Sequence, residues 1–123
     1  MFCRITELWQ RLVYATICSL AGLRSAFQHQ RAFRQELGVL LFVIPAGLWL
    51  GNGGAERALL IGSWILVLVV ELVNSAIETV VDRIGRERNE LSRRAKDLGS
   101  ATVFATILLA GVIWLLVLAG HRM

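Results

Sequence analysis

VVELVNSAIE, Val69 to Glu78, lies inside one of the long apolar runs of the sequence. Two glutamates and an asparagine stand there among residues suited to hydrocarbon. A charged side chain at the centre of a membrane helix costs roughly 2.5–3.5 kcal/mol on insertion scales, and such residues are kept where they act. On a helix turning about 100° per residue, Asn74, Glu78 and Asp82 all fall within about 60° of Glu71. The run is therefore read as a spanning helix with one polar stripe, and the rest of the chain is read from there.

Composition agrees. The chain has 123 residues, enough for one domain, of which 56% are hydrophobic and 18% charged, with a mean hydropathy of +0.63. An ordinary soluble domain is excluded by that apolar excess. Leu37 to Ala55 gives 19 uncharged residues in a row, close to the ~20 a helix needs to cross a bilayer. Pro45 within it is a candidate kink. GNGG, Gly51 to Gly54, supplies a turn. A second run starts at Ala58 and continues through the polar stripe to about Ile84. A third, Leu98 to Gly120, has 23 uncharged residues.

The N-terminal segment is amphipathic. Ile5, Leu8, Trp9, Leu12, Thr16, Leu20, Leu23 and Phe27 recur at three- and four-residue steps, with Arg4, Glu7 and Arg11 on the other side. Arginines interrupt it too often for a span, and it lacks the clean apolar core of a signal peptide. A helix lying in the membrane interface fits. The predicted architecture is thus an all-α membrane protein, one domain over residues 1–123. It has an amphipathic surface helix over 5–28 and spans over 35–52, 57–84 and 95–120, the second span extending into the cytoplasm.

Eleven of the 13 basic residues fall in two places. Arg4, Arg11, Arg24, Arg31 and Arg34 precede the first span; Arg83, Arg86, Arg88, Arg93, Arg94 and Lys96 lie between the second and third. Arg57 and Arg122 sit at the other ends. This bias places the N-terminus and the loop between the second and third spans on the cytoplasmic face of the inner membrane, and the C-terminus in the periplasm. Cys3 and Cys18 form no CxxC and no metal spacing, and are read as free thiols.

Entered near Ala58, the second span carries Glu71 about 20 Å along, a turn or two inside the cytoplasmic interface. Glu78 and Asp82 then project toward water. Carboxylates at i and i+7 with an amide between them can hold a divalent cation and serve as a general base. Lys96 and Asp97 begin the third span on the same side. No GxxxxGK[ST] and no GxGxxG is present, and Lys96 is the only lysine. The residues themselves reach an interfacial site for a cation and a polyanion, at the depth of a lipid headgroup. Polar glue between helices remains the plainer alternative for the stripe.

ELVNSAIETVVDRIG (Glu71 to Gly85) followed by ELSRRAKDLGSA (Glu90 to Ala101) resembles the signature of the small integral-membrane diacylglycerol kinases of bacteria. GLRSAF at Gly22 to Phe27 and AFRQE at Ala32 to Glu36 are similar to the same family. The resemblance runs from about Arg11 to the C-terminus. It implies a homotrimer with active sites shared between subunits, transferring the γ-phosphate of MgATP to diacylglycerol to give phosphatidic acid. Carried over residue by residue, Glu71 is the catalytic base and Asn74 a polar group of the catalytic site. Glu78 is a Mg²⁺ ligand. Arg11, Glu78, Glu87, Lys96 and Asp97 belong to the ATP site. Ala15, Ser19, Arg24, Arg34, Gln35, Glu36, Trp49, Ser100 and Trp114 line the lipid substrate with Glu71.

The sequence departs from the family pattern at the nucleotide end. Gln30 stands where the family has a second metal-binding glutamate, Cys18 where it has a tyrosine, and Arg88-Asn89 where it has Tyr-His. These four positions are assigned to the ATP site, Gln30 also to the metal. Undecaprenol kinases share the glutamate stripe and AKD, so undecaprenol is the alternative acceptor. A non-catalytic channel subunit or scaffold on the same fold is the alternative from another class. No nucleic-acid partner is expected.

Overall fold

The computed structural model describes residues 2–85 and 89–121, with side chains from residue 6 onward. Glu87 and Arg88 therefore lie outside the described residues. These fold as four α-helices in chain order: α1 Phe2–His29, α2 Arg31–Leu50, α3 Gly54–Ile84 and α4 Glu90–Gly120. The all-α fold class expected from the sequence is borne out. By length and composition, α2, α3 and α4 can each cross a membrane. α3 is the central element, packed most extensively against α4 and then α2, while α1 touches α2 lightly.

The breaks between helices follow local chemistry. Gln30 is extended, with φ −109° and ψ 107°, and separates α1 from α2. Arg34 reaches back so that its Nη1 donates to the carbonyl oxygens of Phe27 at 2.8 Å and Gln28 at 3.0 Å. Those are end-of-helix carbonyls without an intrahelical partner, so the arginine caps α1. Gly53, with φ +90°, makes the turn into α3, a conformation other residues avoid. Asn89 Oδ1 accepts from the Leu91 N–H at 2.8 Å and starts α4. α4 thus begins eight residues ahead of the apolar run, supported by Arg93 pairing with Glu90 at 2.5 Å and Asp97 at 4.0 Å. The α-helix runs through Pro45 without a break.

Helix packing depends on small residues and two long-range hydrogen bonds. A Cβ on Gly47 of α2 would lie 2.7 Å from Ile61 Cγ1 of α3, so the two backbones approach closely there. Leu60 and Val67 are fully buried along α3. Trp64 Nε1 donates to the Glu36 carbonyl at 2.9 Å, tying α3 to α2. Trp114 Nε1 donates to the Leu60 carbonyl at 3.0 Å, tying α4 to α3. Of the small residues in the third run, Ala110 is buried against the bundle, whereas Ala105 and Gly111 face outward. Ala26, Phe33 and Leu68 form a buried cluster with Leu37, Leu40 and Leu72 that seats the end of α1 on α2 and α3. At the opposite end of the bundle His121 Nε2 meets Glu56 Oε1 at 2.5 Å, joining the start of α3 to the end of α4. Large apolar side chains such as Phe42, Val73, Phe104 and Leu115 point outward. That distribution suits a hydrocarbon surround.

Candidate functional site at the α2–α3–α4 junction

The polar stripe of α3 is turned into the bundle. Glu71 and Asn74 are each 5% exposed, and Ser75 is buried beside them. The apolar residues between them, Leu72, Val73, Ala76 and Ile77, are half-buried or exposed. Three polar positions are therefore held inside because the helical period places them on the face that meets α2 and α4.

Ser75 Oγ donates to the Glu71 carbonyl at 2.9 Å and Thr79 Oγ1 to the Ser75 carbonyl at 2.8 Å. Those hydroxyls are satisfied within their own helix and leave the carboxylates alone. Among the described residues, no group donates a hydrogen bond to the Glu71 carboxylate. Its lone pairs remain available to a substrate hydroxyl. Asn74 Nδ2 donates to Glu78 Oε1 at 3.4 Å. Asn74 Oδ1 is buried with no hydrogen-bond partner, and so is Glu36 Oε2 on α2. Glu36 and Glu78 both lie within electrostatic reach of Glu71. Buried oxygens without partners are costly unless something completes them. Glu71 with Glu36 and Glu78 in electrostatic reach, and an amide donating to Glu78, are suited to positive charge or to proton transfer.

α4 closes the other side. Gly99 meets Asn74 so tightly that a Cβ there would overlap Asn74 Oδ1. Three residues earlier, Lys96 Nζ pairs with Asp82 Oδ1 at 2.6 Å, bridging α4 to α3. Glu78 is also within electrostatic reach of Lys96. Cation and carboxylates thus meet at one end of the α3–α4 crossing.

α1 and α3 bound a cleft of about 830 Å³ beside this cluster. Ser19, Ala26, His29 and Gln30 line it from one side and Leu72, Ser75 and Thr79 from the other. Its walls mix hydroxyls with aliphatic carbon, which suits a molecule with a polar head and apolar tails.

The residues assigned from sequence divide accordingly. Glu36, Glu71, Asn74, Glu78 and Lys96 come together at the junction. Gln30 and Ser19 face the neighbouring cleft. Asp97 is exposed and near Arg93, and Ser100 is exposed one residue beyond Gly99. Cys18 is a free, exposed thiol. Ala15, Arg24 and Gln35 are exposed on α1 and α2. Arg11 shares a shallow depression with Glu7, Gln10 and Tyr14, earlier in α1 than the cleft lining. Arg34 is engaged in capping, and Asn89 in starting α4. Trp49 is 84% exposed near the far end of α2, and Trp114 is held by Leu60, 15 residues beyond Gly99. At 1.5 Å per residue that is about 22 Å along the helix. This chain does not bring either tryptophan to the carboxylates.

Sequence reading missed Asp82 as a partner of Lys96 and Gly99 as a contact of Asn74. Asp82 was visible on the stripe. Nothing in the sequence signalled what Gly99 meets.

For a divalent cation, Glu78 and Asn74 offer hard oxygen donors of the kind Mg²⁺ prefers. Among the described residues, no group of three or more His, Cys, Asp or Glu could hold a metal ion by itself. This fits Mg²⁺, which keeps waters and substrate phosphates as most of its shell. The fit rests on the donor chemistry of the Glu78 carboxylate, half-buried on the stripe where the Lys96 ammonium approaches.

Comparison with known proteins points the same way. Residues 17–118 match the family model for prokaryotic diacylglycerol kinase. Diacylglycerol kinase of Haemophilus influenzae is 50% identical over 103 residues, covering 84% of this chain and 87% of that protein. Diacylglycerol kinase of Escherichia coli strain K12 is 47% identical over 111 residues, 90% of this chain and 91% of its own length. Diacylglycerol kinase of Pseudomonas aeruginosa is 44% identical over 111 residues, 90% of each chain.

Proposed function

The chain belongs to the prokaryotic diacylglycerol kinase family, and on that footing we propose that it phosphorylates diacylglycerol to phosphatidic acid with MgATP at the cytoplasmic face of the inner membrane. The observation that carries the reading is the buried Glu71 carboxylate, without a hydrogen-bond donor among the described residues, on one stripe with Asn74 and with Glu78, which a lysine from α4 approaches.

In this reading the lipid hydroxyl lies against Glu71. As its oxygen attacks the γ-phosphorus of ATP, the O–H proton passes to the Glu71 carboxylate and the bond to the bridging oxygen of ADP breaks. Asn74 holds Glu78 in place through its amide. Mg²⁺ would arrive as part of the MgATP substrate, held by Glu78, and would supply charge neutralisation. Lys96 offsets further phosphate charge. Phosphoryl transfer is largely positioning and charge neutralisation, so it can proceed without a P-loop. The diacylglycerol enters from the bilayer along the cleft between α1 and α3. α1 lies in the interface, and the basic loop and N-terminus face the cytoplasm. Arg11 lies away from the junction of its own chain, and a homotrimer with shared sites would bring it to the junction of a neighbour, whereas Trp49 and Trp114 lie deeper in the bilayer, where they would meet the acyl chains of the lipid.

Activity of the purified protein in mixed micelles with MgATP, offering diacylglycerol and undecaprenol separately, tests this reading. Phosphatidic acid formation with diacylglycerol is the expected result. Turnover of undecaprenol alone would shift the assignment to that acceptor, and no turnover of either would favour a scaffold.

The family pattern assigns Gln30 to the nucleotide end. Its uncharged amide lines the end of the cleft where α1 gives way to α2. Two unit charges about 4 Å apart interact by roughly 4 kcal/mol at an effective dielectric near 20, and desolvation of a carboxylate cancels much of that. Gln30→Glu is expected to lower the MgATP requirement by about tenfold, with the diacylglycerol dependence unchanged. Activity against MgATP concentration at saturating lipid measures it, and superimposable curves would mean that position 30 does not face the metal.

A further inference from the structure

Lys96 meets the α3 stripe at Asp82, whose Oδ1 holds its ammonium at 2.6 Å across the α3–α4 crossing. We infer that Asp82 is a positioning residue for phosphoryl transfer, fixing the Lys96 ammonium beside Glu78 so that the lysine meets the triphosphate already oriented. The inference rests on the proposed role of Lys96 at the nucleotide.

Geometry separates this from an ordinary surface pair. Asp82 is four residues beyond Glu78 and belongs to the same stripe as Glu71 and Asn74. Its partner comes from another helix, one turn before the tight Gly99–Asn74 contact. Several nearby polar groups pair with one another instead. Arg93 pairs with Glu90 and approaches Asp97, both within α4, and Asn74 donates to Glu78. Lys96 and Asp82 side chains are 45% and 56% exposed, so their pairing adds little to stability. What it changes is freedom. A lysine carries four rotatable carbons and loses much rotamer entropy when it is ordered. An ammonium has three donors. One held by Asp82 leaves two for phosphate oxygens, so the carboxylate can orient the lysine without being displaced.

The test uses the full chain in mixed micelles with MgATP varied at saturating diacylglycerol, comparing wild type, Asp82→Asn, Asp82→Glu, Lys96→Met and the double variant Asp82→Asn/Lys96→Met. Asp82→Asn is expected to raise the KM for MgATP by about tenfold with kcat and the lipid KM nearly unchanged. Asp82→Glu should restore most of the loss, since a carboxylate is retained. In the Lys96→Met background, Asp82→Asn should add nothing, because its effect runs through the lysine. An unchanged or lowered KM in Asp82→Asn would overturn the inference, as would an equal rise in the Lys96→Met background. Loss of helicity or of thermal stability in Asp82→Asn would make the pair a structural clasp and overturn it too. If Lys96→Met itself leaves the MgATP dependence untouched, the nucleotide role of Lys96 fails first. If Lys96→Met raises KM and Asp82→Asn does not, only the role of Asp82 fails.

Discussion

Glu71→Gln is expected to lower turnover by roughly 10²–10⁴-fold, the span attributed to a general base, while the helices stay intact. The substitution keeps the size and shape of a side chain that is 5% exposed, so it opens no cavity and forces no repacking. It removes the one property the mechanism needs, an oxygen that can take a proton. The neighbouring hydroxyls do not depend on that side chain, because Ser75 donates to the backbone carbonyl of residue 71. The stripe should therefore remain folded, and the MgATP KM should stay near that of wild type. Measuring kcat with both substrates saturating, alongside helicity by circular dichroism, separates chemistry from misfolding. Near-normal turnover in a correctly folded Glu71→Gln protein would remove Glu71 from the chemistry.

What the sequence disclosed and what it withheld follow from range. The apolar runs read correctly as helices able to span a membrane, because hydropathy and helical period are local properties. The polar stripe was legible for the same reason: Glu71, Asn74 and Glu78 share a face whatever surrounds them. Which face looked inward was not local. Ser75 and Val81 are buried, while Val73 and Val80 are exposed, and only the crossings with α2 and α4 settle that. Nor was the start of α4 legible from hydropathy. Asn89 supplies the cap and the Glu90–Arg93 pair supports the first turn, so eight residues, six of them polar or charged, became helix ahead of the apolar run. Gly47 and Gly99 read as unremarkable glycines until the partner helix fills the space a side chain would need. The bonds from Trp64 to Glu36 and Trp114 to Leu60 span 28 and 54 residues, beyond any periodic pattern. Arg34, assigned to lipid from the family motif, is occupied in holding the end of α1.

Lys96→Met carries the second large expected effect. Lys96 is the only lysine in the sequence, and it stands where α4 meets the acidic stripe of α3. A hydrogen bond to a charged group contributes about 1.5–3 kcal/mol, which corresponds to roughly 10–100-fold in kcat/KM for MgATP. Methionine keeps an unbranched apolar stem of similar reach, so the packing along α4 survives. The pair with Asp82 is lost, but both partners are about half exposed, and the cost in stability should be small. Glu71 is untouched, so the diacylglycerol dependence should be preserved at saturating MgATP. Arginine at this position is not a conservative control, since its planar fork cannot stand in for a compact ammonium held by one carboxylate oxygen. Unchanged kinetic constants for MgATP in Lys96→Met would return Lys96 to the role of a flanking charge, and charge neutralisation would then have to come from the basic loop or a neighbouring subunit.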